Sequence, residues 1–269
     1  MKKRIPYFDV WGRGGSPLLM VHGFMMHGEM FYPVIDLLAR THLVIIPDLR
    51  GYGNSRELPG PYTVAQHSRD LDYILSALGF DAVHLLGYSM GGTVAQHFAW
   101  HHPAKVRSLI LSNTFAYKAL TGLERLQQQL VPQVVGRVGA DGLGKLLHPR
   151  LVELVGKLDP ATYRWYLSMM RQNRTDVLLR SLHDLFKFDS RAWLPKLQVP
   201  ALVLGGSHDL IVPPAHAHQL AQLLPQARIK IFDQAGHSAI HTHTEAYIGL
   251  VRSFLQAVDE QGQPDRQAS

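Results

Sequence analysis

Apolar residues along this chain gather in short, nearly unbroken runs, and longer stretches with helical spacing lie between them. The runs Pro17–Val21, His42–Pro47, Ala82–Tyr88, Val106–Ser112, Ala201–Gly205 and Ala227–Phe232 are rich in Val, Ile and Leu and predict β-strands. Their apolarity is continuous and does not alternate, so the strands are expected to be covered on both faces, as in a parallel sheet. A helix opens at Thr63 and stops at Gly79, with Leu71, Ile74, Leu75 and Leu78 recurring at helical intervals. Met90–His102, stopped by Pro103, Ala215–Leu224, stopped by Pro225, and Thr244–Val258 predict further helices. This βαβα alternation predicts an α/β fold with a doubly wound, mostly parallel sheet.

Residues 116–195 break the rhythm. They hold helical stretches at about Leu120–Val131, Ala161–Asn173 and Asp176–Phe186, a glycine-bearing loop at Gly136, Gly139, Gly142 and Gly144, and no convincing buried strand. Falling between two strands, they predict a helical cap over one sheet edge, inserted into a core of residues 1–115 and 196–269. The polar residues 259–269 are expected to fray.

Composition narrows the field. The 269 residues can bury a large core, and 46% hydrophobic with 18% charged residues excludes a disordered chain. With no cysteine, disulfide scaffolds, thiolate metal sites, iron–sulfur clusters and a cysteine nucleophile are all excluded. The apolar runs are too short to span a membrane, and the basic start Lys2-Lys3-Arg4 lacks the apolar stretch of about 7–15 residues that a signal peptide carries. The expectation is a cytoplasmic protein with no membrane association. The net charge of +6 is regional: residues 116–195 hold 12 Lys and Arg against 7 Asp and Glu, a net of +5, which leaves +1 elsewhere. No basic run exceeds three residues and no nucleic-acid motif is present, so no nucleic-acid partner is expected.

The sharpest chemical signal is Gly87-Tyr88-Ser89-Met90-Gly91-Gly92, directly after a predicted strand and directly before a predicted helix. A nucleophile on so sharp a turn needs glycines on both sides, and the helix start directs N–H groups toward developing negative charge. His22-Gly23-Phe24 follows the strand at 17–21, Asp48-Leu49-Arg50-Gly51-Tyr52-Gly53-Asn54-Ser55 follows the next, and Ser207-His208-Asp209 and Ala235-Gly236-His237 follow the last two. Together these segments resemble the α/β-hydrolase superfamily over nearly the whole chain, and specifically its serine carboxylesterase-like members.

The resemblance implies Ser89 as nucleophile, His237 as base and Asp209 as the carboxylate that orients His237, in the chain order of this fold. Chemistry asks for the same roles: a serine hydroxyl is a weak nucleophile at neutral pH, and histidine can take and return a proton there. Asp233, four residues before His237, is the competing carboxylate. The oxyanion donors implied are the backbone N–H groups of Phe24 and Met90. Asp48, Arg50 and Ser55 are read as a structural turn in which Asp48 and Arg50 pair, and His22 as a prop for its loop. Met25, Tyr163, Trp165, Met169 and Phe186 are expected to line an apolar substrate pocket. Arg164, Arg171, Arg174 and Arg180 are candidates for attracting an anionic substrate.

The pairs His216-x-His218 and His241-x-His243 diverge around a helix, so no metal site is expected, and the implied chemistry needs no cofactor. The expected activity is hydrolysis of small or medium carboxylic esters through an acyl-enzyme. The alternative is an enol-lactonase or C–C bond hydrolase acting on a carboxylate-bearing substrate, and a ligand receptor with little turnover is a third class. Serine at the elbow argues against the epoxide hydrolases and haloalkane dehalogenases of the superfamily, which use aspartate there.

Overall fold

The computed structural model describes residues 5–119, 121–154 and 158–261. Seven strands, β1 (Phe8–Trp11), β2 (Pro17–Val21), β3 (Leu43–Pro47), β4 (Val83–Tyr88), β5 (Val106–Ser112), β6 (Ala201–Gly206) and β7 (Ala227–Phe232), form one sheet in the order β1-β3-β2-β4-β5-β6-β7. Every pairing is parallel except that of β1 with β3. Helices α1 (Tyr32–Ala39), α2 (Val64–Leu78), α3 (Met90–His101), α7 (Pro214–Leu223), α8 (Ala239–Thr242) and α9 (Thr244–Gln261) flank it. Helices α4 (Gly122–Leu154), α5 (Pro160–Arg171) and α6 (Thr175–Leu185) lie between β5 and β6.

The central strands β2, β4 and β6 are buried at every position, as their unbroken apolarity requires. Local signals place the ends of α2: the Thr63 hydroxyl accepts from the Gln66 N–H, and Gly79 closes the helix in the left-handed conformation. Three of these elements were not expected from the pattern, one of them the four-residue α8. β1 is four residues long at an antiparallel edge and half exposed, so it lacks the apolar run that marks a covered strand. α1 is a short helix with Pro33 in its first turn.

The glycine-bearing stretch expected to be a loop is instead helical. α4 continues through Gly136, Gly142 and Gly144 and breaks its helical dihedrals at Gly139, whose φ of 66° and ψ of −175° mark a kink between two helices. Packing against α5 and α6 outweighs the weak helix propensity of these glycines. The segment leaves and returns at one place, because Tyr117 and Asp189 form an antiparallel bridge and the Ser190 N–H donates to the Ala116 carbonyl. Trp193 stacks on Trp100 of α3 at 5.6 Å, and the Ser190 hydroxyl donates to Gln96, so the return is pinned to the sheet layer.

The frayed tail needs correction at its start. α9 runs to Gln261, and Asp259 accepts hydrogen bonds from buried His84 (2.9 Å) and from Ser16 (2.6 Å), which hold its end against the strands. Residues 262–269 lie outside the described residues. Among the described residues no helix is long and apolar enough to cross a membrane.

Candidate active site

Ser89 stands between β4 and α3 with φ 53° and ψ −119°, a conformation that a serine does not adopt without support. The support is close backbone packing. A Cβ at Gly91 would overlap the Val21 carbonyl, and one at Gly87 would overlap Gly91, so only glycine fits on either side of the turn. His237, after β7, places Nε2 3.0 Å from Ser89 Oγ, and its Nδ1 lies 2.8 Å from Asp209 Oδ2. Asp209 is buried and fully supplied with donors. Its Oδ1 accepts from the N–H groups of Ile211 and Val212, both at 2.9 Å, and its Oδ2 also accepts from Asn113 Nδ2 at 2.9 Å. Asp233, the competing carboxylate, is exposed and takes no part.

With Asp209 accepting at Nδ1, the imidazole carries its proton there and offers the Nε2 lone pair to the serine hydroxyl. The ring is held from behind as well: Tyr88 Oη donates to the His237 carbonyl at 2.5 Å, and the two rings lie 5.3 Å apart. Burial raises the Tyr88 phenol well above its ordinary value, so it stays a donor.

Across from Ser89, His22 Nδ1 donates to the Gly23 carbonyl while its Nε2 accepts from the Leu49 N–H, both at 2.9 Å. Burial lowers its pKa to about 3, so the ring is neutral and props the loop, as the sequence suggested. Among the described residues the N–H groups of Phe24 and Met90 have no hydrogen-bond acceptor. Met25 sits at φ 65°, and Asn173 Nδ2 donates to its carbonyl at 2.8 Å while also donating to Met169 and Met170 at the end of α5. One side chain thus ties the Phe24 loop to the helical segment.

A family profile described as alpha/beta hydrolase fold matches residues 16–244. The chain belongs to the α/β-hydrolase family. It is 34% identical to the polyketide synthase ThaQ of Burkholderia thailandensis over 91% of its own length, and spans 12% of that much longer protein. It is 29% identical to the pimeloyl-[acyl-carrier protein] methyl ester esterase of Neisseria meningitidis serogroup C, over 89% of this chain and 93% of that one. Among solved structures, a thermophilic esterase from Thermogutta terrifontis with malate bound superposes with a TM-score of 0.83 at 29% identity, over 94% of this chain and 93% of that one.

In this α/β hydrolase a cavity of about 370 Å³ opens onto Ser89 and His237, between the C-terminal ends of the strands and helices α4 to α6. That is the size range of small-molecule sites. Its wall is mostly apolar and includes Phe24, Met25, Tyr166, Met170 and Phe186. Of the five pocket residues expected from sequence, Met25 and Phe186 line it. Tyr163, Trp165 and Met169 do not: Met169 and Tyr163 are buried against other residues, and Trp165 packs edge-on against Tyr166 and His241. The helix turns Tyr166 and Met170, four residues apart, toward the cavity, a choice of face that the aromatic content of α5 does not reveal.

Two polar readings also change. Arg50 pairs not with Asp48 but with Asp70 of α2, through two bonds of 2.8 and 2.7 Å. Asp48 instead accepts from the N–H groups of Gly28 and Asn54, so each acid holds a different turn. None of Arg164, Arg171, Arg174 and Arg180 lines the cavity. Among the described residues the cation that does is Lys118, which the sequence did not single out. His216 bonds Glu124 at 2.6 Å, and among the described residues no group of three metal-ligating side chains occurs.

Proposed function

We propose that this α/β hydrolase is a serine-dependent carboxylesterase that cleaves small to medium esters through an acyl-enzyme intermediate. The observation that carries this reading is the hydrogen-bonded chain from Ser89 through His237 to buried Asp209 at the floor of an apolar cavity. Ser89 Oγ attacks the ester carbonyl as its proton passes to His237 Nε2, and the charged imidazole is stabilised by Asp209. The N–H groups of Phe24 and Met90 donate to the oxyanion, with Met90 at the positive end of α3. His237 then protonates the leaving alcohol, and a water activated by His237 releases the acid and restores Ser89. In this scheme residues 116–195 act as a cap over the core of residues 1–115 and 196–269, and Met25 and Phe186 with Tyr166 and Met170 shape the acyl or alcohol pocket. The chemistry needs neither metal nor cofactor. The esterase names of the Neisseria and Thermogutta relatives support ester cleavage as the reaction.

The test is steady-state hydrolysis of p-nitrophenyl esters from acetate to palmitate, with Ser89→Ala as the comparison. Turnover of the shorter esters that vanishes in the variant is expected. Equal rates for both proteins would remove the serine mechanism and leave lactone or C–C bond cleavage, or a receptor role, to be tried.

A further inference from the structure

The cavity wall is mostly apolar, with Gln127 and Ser238 among its polar residues, and among the described residues it includes one ammonium, that of Lys118, which the reaction scheme does not use. Lys118 is almost buried, at 7% exposure, and contributes to the lining. Its ammonium donates to Glu124 Oε1 at 3.1 Å and to the Ile211 carbonyl at 2.5 Å, and it lies 5.8 Å from the Phe115 ring centre. Glu124 Oε1 also bonds His216 Nε2 at 2.6 Å. All three side chains are buried, and the cluster joins the start of the helical segment to the loop that carries Asp209 and to α7.

An ammonium has three donors, and two are engaged here among the described residues. The third remains for whatever fills the cavity. The charge of the cluster decides what that can be. Burial alone would raise the Glu124 carboxyl, but the His216 hydrogen bond and the Lys118 charge outweigh it and hold the carboxyl below its ordinary value. Burial lowers His216, so its imidazole is neutral and donates from Nε2. Lys118 is therefore already balanced by Glu124, and the Asp209 carboxylate stands two residues from Ile211. A substrate carboxylate at Lys118 would leave an unbalanced negative charge in an apolar cavity, which is costly. An uncharged oxygen adds no charge and takes the remaining donor.

We propose that Lys118 is a specificity residue that hydrogen-bonds an uncharged oxygen, a keto or hydroxyl group, on the part of the ester buried in the cavity. The inference deepens the esterase reading and rests on it. It also separates two substrate classes that the basic charge of residues 116–195 leaves together, oxygenated neutral esters and esters bearing a carboxylate.

The experiment compares kcat/KM, read by acid release, for ethyl hexanoate with ethyl 4-oxohexanoate and 5-oxohexanoate, for hexyl acetate with 5-oxohexyl acetate, and for monoethyl adipate. The wild type is expected to favour at least one oxo ester over its plain counterpart by about tenfold, the worth of one hydrogen bond from a charged donor, and to disfavour the adipate half-ester. In Lys118→Met that preference falls to about one. Because Glu124 loses a partner in that variant, Lys118→Met with Glu124→Gln, which removes both charges, provides a second reading if the single variant does not fold. An oxo preference that survives in the variants, no oxo preference in the wild type, or the adipate half-ester as best substrate would each overturn the proposal. Ser89-independent or absent hydrolysis of every ester would overturn the esterase reading and the proposal with it, and is recognised by the failure of the plain esters too.

Discussion

Replacing Asp209 by Asn tests the proposed chemistry at its most constrained point, because all four hydrogen bonds to this carboxylate come from donors: Ile211 N and Val212 N at Oδ1, and Asn113 Nδ2 and His237 Nδ1 at Oδ2. An asparagine keeps one oxygen and must turn its NH2 toward one of the two pairs. Facing the backbone pair it would strand the buried Val212 N–H and the part-buried Ile211 N–H, at up to about 1–3 kcal/mol each. The amide nitrogen therefore settles on the His237 side, where it opposes Asn113 and donates to Nδ1. The imidazole then moves its proton to Nε2, the atom that must accept the proton of Ser89. The same change in a serine-protease triad costs about 10⁴ in kcat, which at about 1.36 kcal/mol per decade is some 5 kcal/mol of barrier. A loss of that order in kcat is expected for Asp209→Asn, with KM nearly unchanged and a melting temperature a few degrees lower from the Asn113 mismatch. Steady-state kinetics on a short p-nitrophenyl ester with a parallel thermal melt measures both. A loss below about tenfold in a folded protein would refute the claim that Asp209 sets the tautomer of His237.

Other expectations follow from the buried polar groups. His67 is buried with neither ring nitrogen partnered among the described residues, and burial lowers its pKa to about 3. Its unfolded pKa is about 6.5, so the unfolded chain binds the extra proton between those values and stability falls as pH drops through that window. In His67→Leu the slope of unfolding free energy against pH should be shallower by up to about 1.4 kcal/mol per pH unit there, read by urea unfolding at pH 4 to 7; identical slopes would contradict the assignment. Arg50→Ala leaves the Asp70 carboxylate buried with, among the described residues, only Gln66 as a side-chain partner, so a loss of about 3 kcal/mol in urea unfolding is expected with kcat at low temperature little altered. Asn173→Ala frees the Met25 carbonyl and uncaps α5. Displacement of the Phe24 N–H should lower kcat severalfold, and an unchanged kcat would mean that this tie does not place the donor.

The parts of the molecule legible in the sequence are those with short-range causes. β4, Ser89 and α3 are contiguous, and the glycines flanking Ser89 are demanded by contacts that any strand-to-helix turn of that sharpness makes. α2 declares both its ends through Thr63 and Gly79. Edge strand β1 lacked a pattern because an edge is not covered, and the glycines of α4 were misleading because tertiary packing outweighs a propensity difference of about 1 kcal/mol per residue. The choice between Asp209 and Asp233 needed burial, since both follow strands and both precede His237.

The sequence alone determined the alternation of strands β2 to β7 with their main helices, the elbow, and the small set of residues from which Ser89, His237 and a carboxylate had to come. Each of these depends on periodicity or on residues within a few positions of one another. Only the tertiary structure decided that Asn113 supports Asp209 across 96 positions, that Arg50 joins Asp70, and that Lys118, Glu124 and His216 meet at the cavity wall. Such pairs have no spacing to recognise. They are selected by which side chains the crossing of strands and helices buries together, and a buried charge or polar group must find its partner there, wherever in the chain that partner lies.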